Sequence, residues 1–500
     1  MSTLAEQQPH PAARPAAPVP ADAGGTGYAD APAAGAGFGR HLVHAAASQQ
    51  QFRALVDQVI VWIDRLLGRQ VDAILHHPRF QRLEASWRGL EHLVAVQARH
   101  DDELAIRVRV LNISWREVAR DVTRALEFDQ SQLFNRIYSE EFGTPGGEPF
   151  GVLLGDYAVS HRPRTGVPAS DEEVLGELAR ISAAALCPLI LGADSALLGL
   201  DSFRELRQPQ DFDAVFRQRE YAGWHRLRQD EHTRFIGLAV PRVLMREPYR
   251  PDGTRRDGFP YREDTTGDAE QYLWGNACFA FGSVVMRAFA ETGWFADIRG
   301  DRHGHGGGGI VPSLAGAGYD GEAPAVASRS VTEVQLDDFG ERELADAGLI
   351  PLCAYHGPGF AVFHSNDSLH RPPPQGGDFA NLNARLSGMM QYMLCASRFG
   401  HHIKVIGRDK IGSFVNAADC QKLLQDWLNR YSTASDGPST ELKARYPLAA
   451  SRVEVTEQPG RPGHFTCVVH LQPHFQLDQL VTSIRLVTEL AIGPTGTGDI

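Results

Sequence analysis

Histidine pairs are the residues of this chain that could most readily bind a metal. His76 and His77 stand together in "ILHHPRFQRLEASWRGLEHLV", residues 74–94, whose apolar spacing is helical. Neighbouring residues on a helix point about 100° apart, so this pair cannot bind one ion from the same face. His303 and His305 lie in "DRHGHGGGGIVP", without a carboxylate or cysteine at zinc-ligand spacing. The sequence favours a flexible loop there, with a metalloenzyme site as the alternative.

Nucleophile and phosphate-binding motifs are missing from the sequence. No GxSxG motif is present, no lysine follows a glycine as a Walker A loop requires, and no Rossmann fingerprint follows an early strand. Asp156, in "GDY", has no evident acid–base companion. The sequence therefore predicts that the chain is not an enzyme and binds no cofactor.

The stretch that contains His76 and His77 is better explained by packing. Its large apolar residues step by three and four along one side of a helix: Phe80, Leu83, Trp87, Leu90 and Val94. Glu84 precedes Arg88 by four residues, the favourable order for an ion pair, and Gly89 would let another backbone approach. We expect a buried face, so that Trp87→Ala costs about 3–5 kcal/mol, whereas His76→Ala costs little.

Composition is that of a water-soluble globular protein. Hydrophobic residues make up 43% and charged residues 22% of the chain, and the formal charge of −12 disfavours a nucleic-acid binder. Six widely spaced cysteines without a CxxC predict buried free thiols in a reducing compartment. No signal peptide and no run long enough to span a bilayer is evident, so we expect a cytoplasmic protein without membrane insertion.

The pattern along the chain predicts an α+β protein with several domains. Residues 1–45 are rich in proline and alanine and predict a disordered tail; the remainder divides into domains at 46–372 and 373–500. Helices are predicted over 52–67, from Pro78, within 114–140, and over 171–186, 211–230, 268–292, 379–406 and 416–432. Strands are predicted over 104–111, 149–159, 187–193, 234–241, 331–337, 349–364, 465–471 and 481–490.

Several blocks of the sequence resemble one family in their wording and order. They are "LEASWRGL" within the helix that begins at Pro78, "EPFGVLLGDYAVSHRP", "RFIGLAVPRVLMREPY", "TEVQLDDFGERELADAGLIPL" and "ANLNARLSGMMQYMLCASRFGHHIKVIGRDKIGSF". These blocks resemble the large subunit of the contractile sheath of bacterial type VI secretion systems, the TssC (VipB, EvpB) family, over about residues 70–490. The chain departs from the family in its longer Gly-rich loop at 303–309 and at Gly400 and His402, where the family typically has Ala and Tyr.

The resemblance implies a structural role and a fold similar to that of phage tail sheath proteins. Members of the family pair with a small subunit, TssB (VipA), and the pairs stack into a helical sheath around an Hcp tube, attached to a baseplate. Contraction drives the tube outward to deliver effectors, and the AAA+ ATPase ClpV recycles the sheath. A sheath protein of another phage-tail-like injection machine is the alternative.

The chain ends in two alternating segments that could link subunits. An end strand with unpaired backbone groups is a hazard unless another strand covers it, and addition to a neighbour's sheet propagates into a helix. We therefore predict that apolar residues of these segments bind a partner: Phe465, Val469, Leu471, Ile484, Leu486 and Leu490.

Overall fold

A computed structural model describes the chain from residue 49 onward, with gaps. The described ranges are 49–101, 105–144, 146–251, 259–266, 268–301, 307–311, 313–315, 330–354, 360–374, 376–409, 417–433, 440–457, 464–474 and 484–491. The predictions for residues 1–45 and for His303 and His305 lie outside these ranges. Two compact units are distinguished, Met1–Gln70 and Val71–Ile500, so the division at 372/373 stays a prediction.

The first described element is a long amphipathic helix, α1 (Gln49–Leu75). None of its residues is buried, although its large apolar residues recur at helical spacing as predicted. The exposed ones are Phe52, Ile60, Val61, Trp62, Ile63, Leu66, Leu67 and Ile74. An apolar face of this length marks an interaction surface.

The remaining elements alternate between helices and strands, which confirms an α+β fold. The helices are α2 (Pro78–His100), α3 (Trp115–Arg124), α4 (Gln132–Phe134), α5 (Glu140–Phe142), α6 (Asp171–Ala185), α7 (Phe212–Phe216), α8 (Ala222–Gln229), α9 (Ala277–Thr292), α10 (Asp338–Asp346), α11 (Asp378–Ser387), α12 (Met390–Asp409), α13 (Ala417–Asn429) and α14 (Thr440–Arg445). The strands are β1 (Leu153–Val159), β2 (Leu189–Ala193), β3 (Ile236–Val240), β4 (Val243–Leu244), β5 (Trp274–Gly275), β6 (Ile310–Val311), β7 (Ile350–Ala354), β8 (Ala361–Phe363), β9 (Leu448–Glu457), β10 (His464–Pro473) and β11 (Ile484–Ala491).

The larger sheet has the strand order β1-β2-β3-β7-β8-β6. Strands β1, β2, β3 and β7 are parallel, and β8 turns the edge antiparallel against β7 and β6. Helix α6 connects β1 to β2; it begins with a capping box in which Ser170 and Glu173 exchange hydrogen bonds. Its apolar residues form a core with β2 and β3. Buried strands with helical crossovers explain why these strand segments are almost continuously apolar.

Helix α9 forms the centre of a second core, and every residue from Ala277 to Ala288 is buried. It packs against β1, β2 and β3 and also against α2. A Cβ added to Gly282 would collide with the side chain of Leu154 and approach Leu93 of α2 to 3.3 Å. Glycine at this position therefore permits the close approach of three elements.

A smaller antiparallel sheet, with the order β11-β10-β9, closes the described chain. Its core-facing residues pack against α12 and α13, whose side chains include Phe399, Ile403, Leu424 and Leu428. Trp294, just after α9, stacks on Phe399 with 4.3 Å between ring centroids and meets Tyr431 at 5.0 Å. This aromatic cluster connects the smaller sheet and its helices to the α9 core.

Four predicted elements differ from the structure. The predicted helix 268–292 begins only at Ala277, and Trp274–Gly275 form strand β5 against β4. The described residues 105–111 form no strand, because the Asp101 carboxylate binds the first two backbone N–H groups of this segment and Gln97 binds the carbonyl of Ile106. Residues 331–337 also form no strand, apart from a bridge between Val243 and Thr332. The predicted helix 379–406 is two helices, α11 and α12. The period-two pattern of residues 105–111 reflects the packing of Ile106 and Val108 against the core around α9.

Two other predictions concern side-chain chemistry and membranes. All six cysteines are buried and free, as predicted. Among the described residues, none of the helices is both long and apolar enough to cross a bilayer.

A buried histidine connects α12 to the end of α6. His401 Nε2 lies 2.9 Å from the carbonyl oxygen of Ala185, the last residue of α6. Burial lowers the pKa of His401 to about 4, and the charges of Lys404 and Arg398 act in the same direction. The imidazole is therefore neutral at pH 7, and its Nε2–H donates to the carbonyl.

We predict that His401 makes the protein sensitive to acid. The unfolded histidine has a pKa near 6.5, so between pH 6.5 and 4 the unfolded state binds more protons, and the free energy of unfolding falls as the pH falls. His401→Gln keeps an N–H donor but does not titrate. Denaturant unfolding at pH 7 and pH 4 should show about 3 kcal/mol less pH dependence in this variant. Equal pH dependence in both proteins would contradict the assignment.

Candidate assembly surfaces

His76 and His77 directly precede helix α2, and the start of this helix gives His77 a structural role. His77 is the N-cap, and its ring accepts a hydrogen bond from the N–H of Arg79, while Pro78 occupies the first helical position. The buried side of α2 consists of small and medium residues, Ala85, Gly89, Leu93 and Val96. Within the described ranges, no group of three or more potential ligands could hold a metal ion.

The predicted burial of the large apolar stripe of α2 is wrong within this chain. Trp87 is 65% and Leu83 57% exposed, Phe80 and Val94 are also exposed, and Leu90 is half-buried. Helical spacing placed these residues on one face correctly, but it could not tell which face the fold covers. The ring of Phe279, rather than a backbone, packs against Gly89. The side of α2 that faces α9 is therefore the one that carries Gly89, opposite the large apolar stripe. The estimate for Trp87→Ala therefore no longer applies to folding.

Glu84 belongs to a buried ionic cluster that sequence spacing could not reveal. Arg246 Nε lies 2.6 Å from Glu84 Oε1, and Arg246 Nη1 lies 2.6 Å from Glu263 Oε2. His76 Nε2 completes the cluster at 3.2 Å from Glu263 Oε1. The predicted pair with Arg88 is present at 3.7 Å, but it is more exposed. Burial alone would lower the pKa of Arg246; its hydrogen bonds to both glutamates raise it.

Asp156 in β1 is the carboxylate that the sequence offered as a candidate for acid–base catalysis. Burial raises its pKa, against opposing hydrogen bonds from Ser86 and Asn276. Neither partner titrates near neutral pH, so this site offers no proton-transfer pair. The nearby thiol of Cys278 is fully buried, and burial raises its pKa further from neutrality. The arrangement is one of structural hydrogen bonds at the start of α9.

The C-terminal strands are only partly available to a partner. Phe465, Val469 and Leu471 lie in the central strand β10 and are buried in the core of the smaller sheet, so their side chains are covered within this chain, and their role in binding a partner stays a prediction. Both edges of β10 are already paired, with β9 and β11. Their alternation reflected a core strand with one covered face.

Strand β11 is an edge strand of this sheet, so its residues could still link this subunit to a partner, as predicted. Leu490, Leu486 and Ile484 stand opposite Phe465, Val469 and Leu471 of β10. Within the described ranges no strand pairs with the outer edge of β11. A linking role for these three residues stays a prediction, and the feature that supports it is the backbone edge.

Comparison with known proteins identifies the class first. Residues 57–370 match the tail sheath N-terminal domain of the EvpB/VC_A0108 family, and residues 379–490 match its tail sheath gpW/gp25-like domain. Together with the mixed helix and strand architecture, these matches define a contractile tail sheath protein.

A relative narrows the class to one secretion machine. The chain is 38% identical over 439 residues to "Type VI secretion system sheath protein TssC1" of Pseudomonas aeruginosa, covering 87% of this chain and 86% of that protein. The chain therefore belongs to the TssC (VipB/EvpB) family, the large subunits of the type VI secretion sheath, as its sequence blocks predicted.

We predict that the Arg246 cluster stabilises the placement of α2. In Arg246→Ala the buried glutamates Glu84 and Glu263 lose their common partner, which should lower the free energy of unfolding by about 3–5 kcal/mol. Arg88→Ala removes a partly exposed side chain, whose contact with Glu84 is long at 3.7 Å and whose other partner, Glu91, is exposed; it should cost less than about 1 kcal/mol. Urea unfolding of both variants provides the measurement, and similar losses would contradict this role.

Proposed function

We propose that this chain assembles with a small sheath subunit, TssB (VipA), into a helical sheath around an Hcp tube. Contraction of the sheath then drives the tube outward for effector delivery. The sheath would lie in the bacterial cytoplasm, attached to the baseplate at the cell envelope. ClpV is the proposed recycling ATPase. We further propose that the chain is a structural protein without catalytic activity.

The exposed apolar face of α2 is the observation that carries this proposal. Leu83 and Trp87 are more than half exposed on a helix whose opposite side is fully packed. Large aromatic residues in such positions dominate binding when a partner buries them. Helix α1 presents a second apolar face of the same kind. A subunit of an assembly can bury both apolar faces against its neighbours, whereas a free monomer would leave them exposed to water.

Co-expression tests the proposed function most directly. The full chain should copurify with the small sheath subunit and form hollow tubes that electron microscopy resolves. Tubes that form without the small subunit would favour a sheath of another kind. A stable monomer that ignores the small subunit would exclude the proposal.

We predict that Trp87 contributes to binding and little to folding. Trp87→Ala should change the free energy of unfolding by less than about 1 kcal/mol, because most of the side chain is already exposed. The same variant should weaken binding to the small subunit by about 2 kcal/mol or more, roughly 30-fold in Kd.

The matched control is Phe339→Ala, another exposed aromatic residue, on α10. It should leave the affinity unchanged when both variants are titrated with the small subunit. Equal weakening by both variants, or none by Trp87→Ala, would exclude α2 as the binding face.

We predict that the open edge of β11 links neighbouring sheath subunits. The N–H of Val453 donates to a helix side chain, so Val453 directs its backbone groups away from β10. The next residue, Glu454, therefore exchanges backbone hydrogen bonds with Val468 of β10. By the same alternation, the backbone of Val487 points away from β10. Val487→Pro removes this outward N–H and should abolish tubes while the complex with the small subunit remains.

Val487→Ala keeps the N–H and serves as the control, with tubes expected. Electron microscopy and gel filtration of the co-expressed variants distinguish tubes from the smaller complex. Normal tubes from Val487→Pro would show that strand addition at this edge is not the link.

A further inference from the structure

Helix α13 presents two different stripes to the smaller sheet. Cys420, Leu424 and Leu428 are buried and face the core. Gln421 and Gln425, one position further along the helix, are also four residues apart and lie on the adjacent side. Both glutamine side chains reach the backbone of β9.

The Gln425 carboxamide occupies the place that a neighbouring strand would take. Its Oε1 accepts a hydrogen bond from the N–H of Val453 at 2.9 Å, and its Nε2 donates to the carbonyl of Ser451 at 3.1 Å. Gln421 Oε1 accepts from the N–H of Val455 at 3.4 Å. A carboxamide carries both N–H donors and a carbonyl acceptor, so it can replace the donor and the acceptor of a neighbouring peptide group.

The register of the sheet shows that these backbone groups form the outer edge of β9. Ser451, Val453 and Val455 stand opposite Leu471, Val469 and Cys467 of β10. In an antiparallel pair, alternate residues direct their N–H and C=O groups away from the partner. Since Val453 and Val455 donate to α13, they belong to this outward set. The glutamines therefore bind the groups that a further strand would need.

The beginning of β9 is covered in a different way. Leu448 N–H donates to the carbonyl of Tyr431 at 3.2 Å, and its carbonyl accepts from Thr433 N–H at 2.9 Å. Ser432 and Leu448 thus form a short parallel bridge. Together with the glutamines, this bridge extends the cover along β9 from Leu448 to Val455.

We propose that Gln421 and Gln425 determine the specificity of strand addition by closing the β9 edge of the smaller sheet. A strand from a neighbouring subunit can then add only at β11. The proposal rests on the proposed sheath function, and it deepens that function by naming residues that exclude a wrong contact. Edges that are covered by side chains resist pairing with other chains.

The experiment compares three proteins, each co-expressed with the small sheath subunit. They are the wild type, the double variant Gln421→Ala/Gln425→Ala, and Gln421→Glu/Gln425→Glu, in which a carboxylate still accepts the N–H groups. In the alanine variant, hydrogen exchange of the Val453 and Val455 amides should be about tenfold faster in the unassembled complex. Tubes should give way to irregular aggregates. The glutamate variant should keep slow exchange and tubes.

Lys422→Ala is the matched control, an exposed residue of the same helix, and should behave as the wild type. Tubes at wild-type yield from the alanine variant would overturn the proposal. An alanine variant that unfolds before it misassembles would overturn it too, because the glutamines would then hold the fold. If the wild type forms no tubes, the sheath function fails, while faster exchange and aggregation of the alanine variant would still support edge closure.

Discussion

Helix α9 lies between the larger sheet and α2, and the packing on both sides relies on glycine. Gly282 lets Leu154 of β1 and Leu93 of α2 approach one turn of α9, and Gly89 of α2 accommodates the ring of Phe279. Neither contact tolerates a Cβ without movement. Because α2 uses its small residues for this contact, its large residues face outward, and the surface proposed for the small subunit follows from the core.

The C-terminal sheet, like α2, is covered on one side by the rest of the chain. Its core side is sealed by α12 and α13, and the aromatic cluster around Trp294 and Phe399 connects it to the α9 core. Met390, Leu394 and Cys395 of α12 also pack in the α9 core, so stacked rings and buried side chains together join the smaller sheet to that core. Close packing of this kind transmits displacement because it has little room to deform.

Much of the architecture was predictable from the sequence, and the errors have common causes. Buried parallel strands such as β2 and β3 and the capped helix α6 carry strong local signals. Residues 105–111 had the right periodicity for a strand, yet hydrogen bonds from Asp101 and Gln97 compete with strand pairing. For Trp87 and for Phe465, the pattern identified one apolar face, but whether the chain itself or a partner covers that face depends on distant residues. Arg246 is 162 residues from Glu84, so no local signal could have paired them.

The carboxamide cover on β9 has a consequence for the geometry of growth. A sheet that is open on both sides can recruit strands in two directions, and such subunits give branched or disordered networks. Under the proposed strand addition β9 is closed, and within the described ranges β11 keeps the unpaired edge, so each smaller sheet would accept one incoming strand. Strand addition at a single acceptor side links identical subunits head to tail, so the two ends of a row joined in this way are chemically different.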